Sequence, residues 1–88
     1  VTSYELRQNY PNPFNPSTTI EFAIPQASMV KLTVYDILGR EVVRLLDNRM
    51  DAGRHAVTFD ASRLASGVYF YRLETTNNAM TRKMMLVK

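Results

Sequence analysis

The chain has 88 residues, of which 45% are hydrophobic, 22% are charged and none is Cys. One small core is all such a length supports, with roughly 60–65% of the extended chain's surface buried. A disulfide scaffold, thiolate metal sites and a catalytic thiol are excluded together.

The formal charge is +3. All of that excess falls in the last stretch, where Arg72, Arg82, Lys83 and Lys88 outnumber Glu74. A nucleic-acid interface has a denser basic face interleaved with stacking aromatics, so no nucleic-acid partner is expected. The longest apolar runs are too short to cross a bilayer, so no membrane insertion is expected. Val1–Tyr10 lacks both an initiator Met and the basic-then-apolar design of a signal peptide. The chain is therefore expected to be a piece of a longer one.

Asn9-Tyr10-Pro11-Asn12-Pro13-Phe14-Asn15-Pro16 places a Pro at nearly every second position. Each Pro fixes its own φ and drives its predecessor out of the helical region. Residues 1–16 are therefore expected as an extended lead-in, with Tyr10 and Phe14 as anchors on the core, and residues 17–88 as the folded body of a single domain.

Ser17–Ile24 alternates cleanly, with Ile20, Phe22 and Ile24 on one face and Thr19, Glu21 and Ala23 on the other. Val30–Tyr35 repeats the pattern, Val30, Leu32 and Val34 inward and Lys31, Thr33 and Tyr35 outward. Asp36–Arg40 reads as a turn, with Gly39 at a left-handed position. Glu41–Leu46 reads as a strand whose paired apolar residues leave its inward face open, and a helical turn is the alternative there. Asp47–Gly53 reads as a polar loop. Arg54–Phe59 puts His55, Val57 and Phe59 on one face. A bend follows over Asp60–Gly67, with a short helical turn at Ser62-Arg63-Leu64. Val68–Thr75 is a strand rich in aromatic and branched residues. Asn77-Asn78 predicts a tight hairpin with two positive φ angles, and Thr81–Lys88 is the last strand. Short alternating runs with turn residues between them predict an all-β fold, a two-sheet antiparallel sandwich of about seven strands.

Chemistry is sparse. A nucleophilic triad needs a histidine beside a Ser and a carboxylate, but the one histidine, His55, alternates with Val57 and Phe59 on an inward face and is expected to be structural and partly buried. The carboxylates Asp36, Asp47, Asp51 and Asp60 sit at turns, where Asp bends the backbone. A single ion held with backbone carbonyls near Asp47 and Asp51 stays open. No catalytic residue, cofactor site or metal site is assigned, and the chain is not expected to be an enzyme. Tyr69 and Tyr71 share a face with Leu73. That row fits core filling, or, as an alternative function, an accessory β-sandwich that stacks on carbohydrate for an attached hydrolase. The last strand is basic and apolar on both faces beyond Lys83, so it fits either a closing strand or an edge read by a partner.

Five segments, in order, resemble one family. Leu6 to Ile20, with its Asn-Pro repeats, is similar to the opening of the type IX secretion system C-terminal sorting domains of type A, found on exported proteins of Bacteroidetes and related bacteria. Val34–Val42 (Val-Tyr-Asp-Ile-Leu-Gly-Arg-Glu-Val), Gly53–Asp60, Ser66–Leu73 and Thr81–Met84 resemble the later motifs of that family. Phe59 stands where many members have Trp.

The resemblance implies an immunoglobulin-like fold, related to the immunoglobulin-like domain of flagellar hook-capping proteins, although the Gly-rich insert of some of those relatives is missing. It also implies a non-catalytic sorting signal for an attached N-terminal cargo. The expected partners are an outer-membrane translocon and a sortase-like peptidase, and the expected route runs from periplasm to cell surface or medium. Carried over residue by residue, the partner-recognition positions are Gly67, Val68, Tyr69, Tyr71 and Lys83.

Overall fold

A computed structural model describes all residues from Val1 to Lys88. Seven strands follow one another, β1 Glu5–Leu6, β2 Ser17–Ile24, β3 Ser28–Tyr35, β4 Glu41–Met50, β5 Gly53–Asp60, β6 Gly67–Glu74 and β7 Ala79–Leu86. They form two sheets, one ordered β1-β2-β5 and the other β4-β3-β6-β7, and all named strand pairs are antiparallel. This is the expected antiparallel β-sandwich. Near the start of β6, Tyr69 Oη donates to the carbonyl of Ala65, 2.7 Å away and four residues upstream. Immunoglobulin-type sandwiches place a tyrosine corner at the same point.

Period-two alternation builds the core. Ile20, Phe22 and Ile24 from β2 and Phe59 from β5 face Val30, Leu32 and Val34 from β3, Tyr69, Tyr71 and Leu73 from β6, and Met84 and Leu86 from β7, all buried. Val57 is only half-buried but packs against the same cluster. His55 is half-buried too, its ring 5.3 Å from that of Phe22 and its Nε2 2.8 Å from the Asp51 carbonyl oxygen.

Several positions depart from expectation. Thr33, expected outward, is fully buried. It sits mid-strand in a central strand, flanked by Arg44 on β4 and Arg72 on β6, and long side chains of this kind lay apolar stems over the sheet surface beside them. Ala23 is buried as well, in the rung where Glu5 and Arg54 flank it and pair at 3.4 Å.

The paired apolar residues of β4 are explained by two bulges. Tyr35 opposes Glu41 while Val34 opposes Val43, which leaves Val42 as an extra residue; Leu45 is extra in the same way between Arg44 and Leu46. Each bulge lets two consecutive apolar residues lean on the core. No helical turn forms there. Asp47–Met50 continues the strand, so the expected loop shrinks to Asp51 and Ala52. At Ser62–Leu64 there is a single turn, closed by Leu64 N–H to the Ala61 carbonyl. Thr75–Asn78 is a four-residue loop closed by Thr75 N–H to the Asn78 carbonyl, and neither Asn77 nor Asn78 has positive φ. Side-chain support from Thr75 Oγ1 on the same carbonyl makes the left-handed pair unnecessary.

The lead-in is part of the sandwich. Leu6 and Phe14 are both buried. Tyr10, the other expected anchor, is 79% exposed, because its backbone pairs in both directions with Thr19 and turns the ring outward.

Candidate functional site

The Asn-Pro segment is held by its asparagines. Asn9 is buried; its Nδ2 donates to the Pro11 carbonyl (3.1 Å) and to Thr18 Oγ1 (3.0 Å), and its Oδ1 accepts from Gln8 Nε2 (2.7 Å). Thr18 Oγ1 donates in turn to the Pro11 carbonyl. Asn12 Oδ1 accepts from the Met85 N–H at 3.0 Å. Phe14 then pairs in parallel with β7, its N–H to the Met85 carbonyl and its carbonyl to the Val87 N–H.

This covers the β7 edge near its C-terminal end. Gln8 Nε2 takes the Lys83 carbonyl (2.7 Å), and the Lys88 N–H reaches Ser66 Oγ (3.1 Å). An edge strand read by a partner is therefore not what β7 offers over Lys83–Val87. The Lys83 carbonyl, both backbone groups of Met85 and the Val87 N–H are satisfied there within the domain, which is one way sheets blunt their edges.

The five expected recognition positions divide between the two faces of the four-stranded sheet. Tyr69 and Tyr71 point inward and are buried, so their row forms core and not an exposed platform for sugar rings. Val68 and Lys83 point outward. Val68 is half-buried opposite Met85, and Lys83 is exposed opposite Phe70. Gly67 opens β6 with φ of 151°, opposite Leu86.

The outer face carries a cross-strand row of Tyr35, Phe70 and Lys83. Below it lies the row Arg44, Thr33, Arg72 and Thr81, and below that Asp47, Lys31, Glu74 and Ala79. Tyr35, Gly39, Phe70, Arg72, Glu74 and Thr81 line a shallow depression of about 440 Å³. Most charges on this face are paired. Arg44 holds Glu41 (3.1 Å) and Asp47 (3.0 Å), Arg72 lies 3.6 Å from Glu74, and Lys31 lies 4.0 Å from Glu74. The Asp47 carboxylate is thus taken by Arg44, and no group of three potential metal-ligating side chains converges there or elsewhere. The Lys83 ammonium has neither a carboxylate nor a hydrogen-bond partner in the domain.

At the rim of this face, the β3–β4 turn is tightly built. Asp36 Oδ1 accepts from the N–H groups of Leu38 (2.9 Å) and Arg40 (3.0 Å), and Asp36 Oδ2 pairs with Arg40 Nε (2.9 Å). The backbone closes twice more, Gly39 N–H to the Asp36 carbonyl and Asp36 N–H to the Arg40 carbonyl. Gly39 takes φ of 82°, as expected. The Arg40 N–H holds the Asp36 carboxyl below the usual carboxylate value, helped by the Arg40 side chain and the Leu38 N–H and opposed by desolvation. Sequence reasoning located this turn but not its display of Ile37 and Leu38, which are 70% and 74% exposed.

A family model described as "Secretion system C-terminal sorting domain" matches residues 8–88. No curated protein matches the chain.

Proposed function

The chain belongs to the family of secretion system C-terminal sorting domains, a sorting signal of type IX secretion that marks a secreted protein, and on that premise we propose how it works. It is a non-catalytic address joined to an N-terminal cargo. It brings that cargo from the periplasm to an outer-membrane translocon, where a sortase-like peptidase removes the domain as the cargo reaches the surface or medium.

The family match across nearly the whole chain carries this reading. The geometry is compatible with it: apart from Glu21, exposed in the middle of β2, the acids sit at turns or in ion pairs, and the single histidine packs on Phe22 and the Asp51 carbonyl. Among the proposed recognition positions, Val68 and Lys83 offer side chains to a partner. Gly67, Tyr69 and Tyr71 contribute by fixing the start and the packing of β6 beneath them.

The test is a fusion of residues 1–88 to the C-terminus of a reporter carrying a signal peptide, expressed in a bacterium with type IX secretion. Reporter at the surface or in the medium is expected, and only when the secretion system is intact. Reporter retained in the periplasm of competent cells would refute the sorting reading.

A further inference from the structure

We propose that the Asp36–Arg40 turn is the docking knob of the domain, with Ile37 and Leu38 entering an apolar pocket on a protein of the secretion machinery and Lys83 meeting a carboxylate at that pocket's rim. This rests on the sorting reading and names the surface that acts in it.

The first support is the contrast between order and exposure in the turn. Three bonds to one carboxylate, two backbone bonds and a left-handed glycine fix five residues. The residues that dominate connecting turns are Gly, Pro, Asn, Asp and Ser. Here the two tip side chains are large, branched and apolar, and both are more than two-thirds exposed. Rigid placement lowers the ordering cost of binding, and apolar anchors entering desolvated pockets carry most of the energy of protein interfaces.

The second support is position. Gly39 and Tyr35 line the same depression as Phe70, and Phe70 lies opposite Lys83. The knob is thus continuous with an aromatic ledge that ends at an unpaired cation. Met85, 42% exposed, lies two residues beyond Lys83 on the same face. Aromatic, Met and basic side chains grouped in this way fit the composition of interface cores.

The third support is charge. Arg40 and Lys83 flank the apolar residues, and the nearest acids, Asp36 and Glu41, are held by Arg40 and Arg44. The unmatched charge is positive, so the complementary surface is apolar with a carboxylate at its edge. A lipid surface fits less well. Lys83 is the one unmatched cation beside the turn, since the neighbouring basic groups are paired with Asp36, Glu41, Asp47 and Glu74, whereas anionic headgroups are held by clusters of about four to eight basic residues.

The experiment uses the reporter fusion with Ile37→Ser and Leu38→Ser together, and Lys83→Glu separately. Ala56→Ser, an exposed position on the other sheet, is the control. The double variant should lose export at least tenfold and Lys83→Glu should lose it severalfold, while Ala56→Ser exports normally. Melting temperatures of the purified 88-residue variants should stay within about 4 °C of wild type, since exposed substitutions change stability little. A photo-crosslinking residue at position 38 should yield a product that mass spectrometry identifies as a secretion-machinery protein, and one at position 56 should not.

Normal export of the folded double variant would overturn the docking knob while leaving the sorting reading standing. Failure of the wild-type fusion to export would instead remove the sorting reading and the knob with it. Sedimentation with vesicles of anionic lipid or lipopolysaccharide that depends on Ile37 and Leu38, without a protein crosslink, would also overturn the proposal, in favour of a membrane partner.

Discussion

Tyr71 and Arg82 oppose each other on β6 and β7, and both reach across the sandwich to the same short segment of the other sheet's lead-in. Tyr71 Oη donates to the Arg7 carbonyl at 2.6 Å and accepts from the Asn9 N–H at 2.8 Å. Arg82 Nε donates to the Leu6 carbonyl. Because β1 is hydrogen-bonded to β2, these three bonds join the two sheets through polar groups, beside those that Gln8, Asn12 and Phe14 make with β7. One ring in the core and one guanidinium at the rim thereby fix the path by which the chain enters the domain.

Replacing Tyr71 with Phe keeps the ring and removes the hydroxyl. Two backbone groups, the Arg7 carbonyl and the Asn9 N–H, then lose their partner in a buried setting. An unsatisfied buried group costs about 1–3 kcal/mol, a large part of the stability of a domain this small. Urea denaturation should show a loss in that range. Amide exchange should quicken at Asn9 and its neighbours more than at the centre of β3 or β6. An unchanged midpoint would mean that the hydroxyl has no structural role.

Tyr71 also gives the fold an alkaline limit. Burial pushes its hydroxyl above the ordinary value of 10.0, against the opposing pulls of the Asn9 N–H and the Arg82 charge. A raised folded-state value means that the native state holds the proton more tightly than the unfolded chain. The resulting stability is complete below about pH 10 and is lost as pH rises through the folded value, by at most about 1.4 kcal/mol per pH unit. Denaturation midpoints of wild type and Tyr71→Phe, compared from pH 8 to pH 11, should converge above pH 10. A constant gap would show that Tyr71 titrates alike in both states.

Asp36 sets the opposite limit for the β3–β4 turn. Its folded-state value is depressed, chiefly by the Arg40 N–H. The stability it contributes is present above the unfolded value, about 3.9, and is lost as pH falls through the lower folded one. In a carboxyl titration followed by NMR, Asp36 should protonate below 3.8. The Leu38 and Arg40 amide signals should move with the same midpoint, because both donate to the group being protonated. Amide signals that do not respond would break the link between this carboxylate and the turn.

Strand periodicity made most of the sandwich legible, since Ile20, Phe22, Leu32, Val34, Phe59, Tyr71 and Leu73 each lie inward where alternation puts them. β4 was not legible in the same way. Its two bulges break the period of two, so Val42-Val43 and Leu45-Leu46 read as ambiguous until the register with β3 is known. The lead-in was legible as extended and as anchored on the core at Phe14, though not in the exposure of Tyr10. That Asn9 is a buried hub bonded to Pro11, Thr18 and Gln8 depends on β2 lying beside it, and no local pattern carries that. The recurrence of Asn before aromatic or Pro residues was the available signal. At the candidate site, Lys83 and Gly39 could be read from charge and turn chemistry. The exposure of Ile37 and Leu38 could not, because two apolar residues in a turn look the same in sequence whether they fold under or stand out.

Phe14 tests whether the lead-in protects the β7 edge. Its ring is buried, 6.1 Å from that of Phe59, and its backbone closes the last exposed pairing positions of β7 through Met85 and Val87. Phe14→Ala removes the anchor, and large-to-small changes of this kind cost about 3–5 kcal/mol. The loss should go beyond stability. With the ring gone, the Asn12–Phe14 backbone is left with only its hydrogen bonds to Met85 and Val87 to hold it against β7, and a strand edge that comes uncovered is a template for pairing with another chain. Sedimentation velocity should show Phe14→Ala associating as concentration rises, under conditions where it is still mostly folded. Tyr10→Ala, which removes a ring that is 79% exposed, should change stability by no more than about 0.5 kcal/mol and should stay in the association state of the wild type. If Phe14→Ala is destabilised yet does not associate, the strap contributes packing alone, and the charged residues along β7 are enough to keep its edge from pairing.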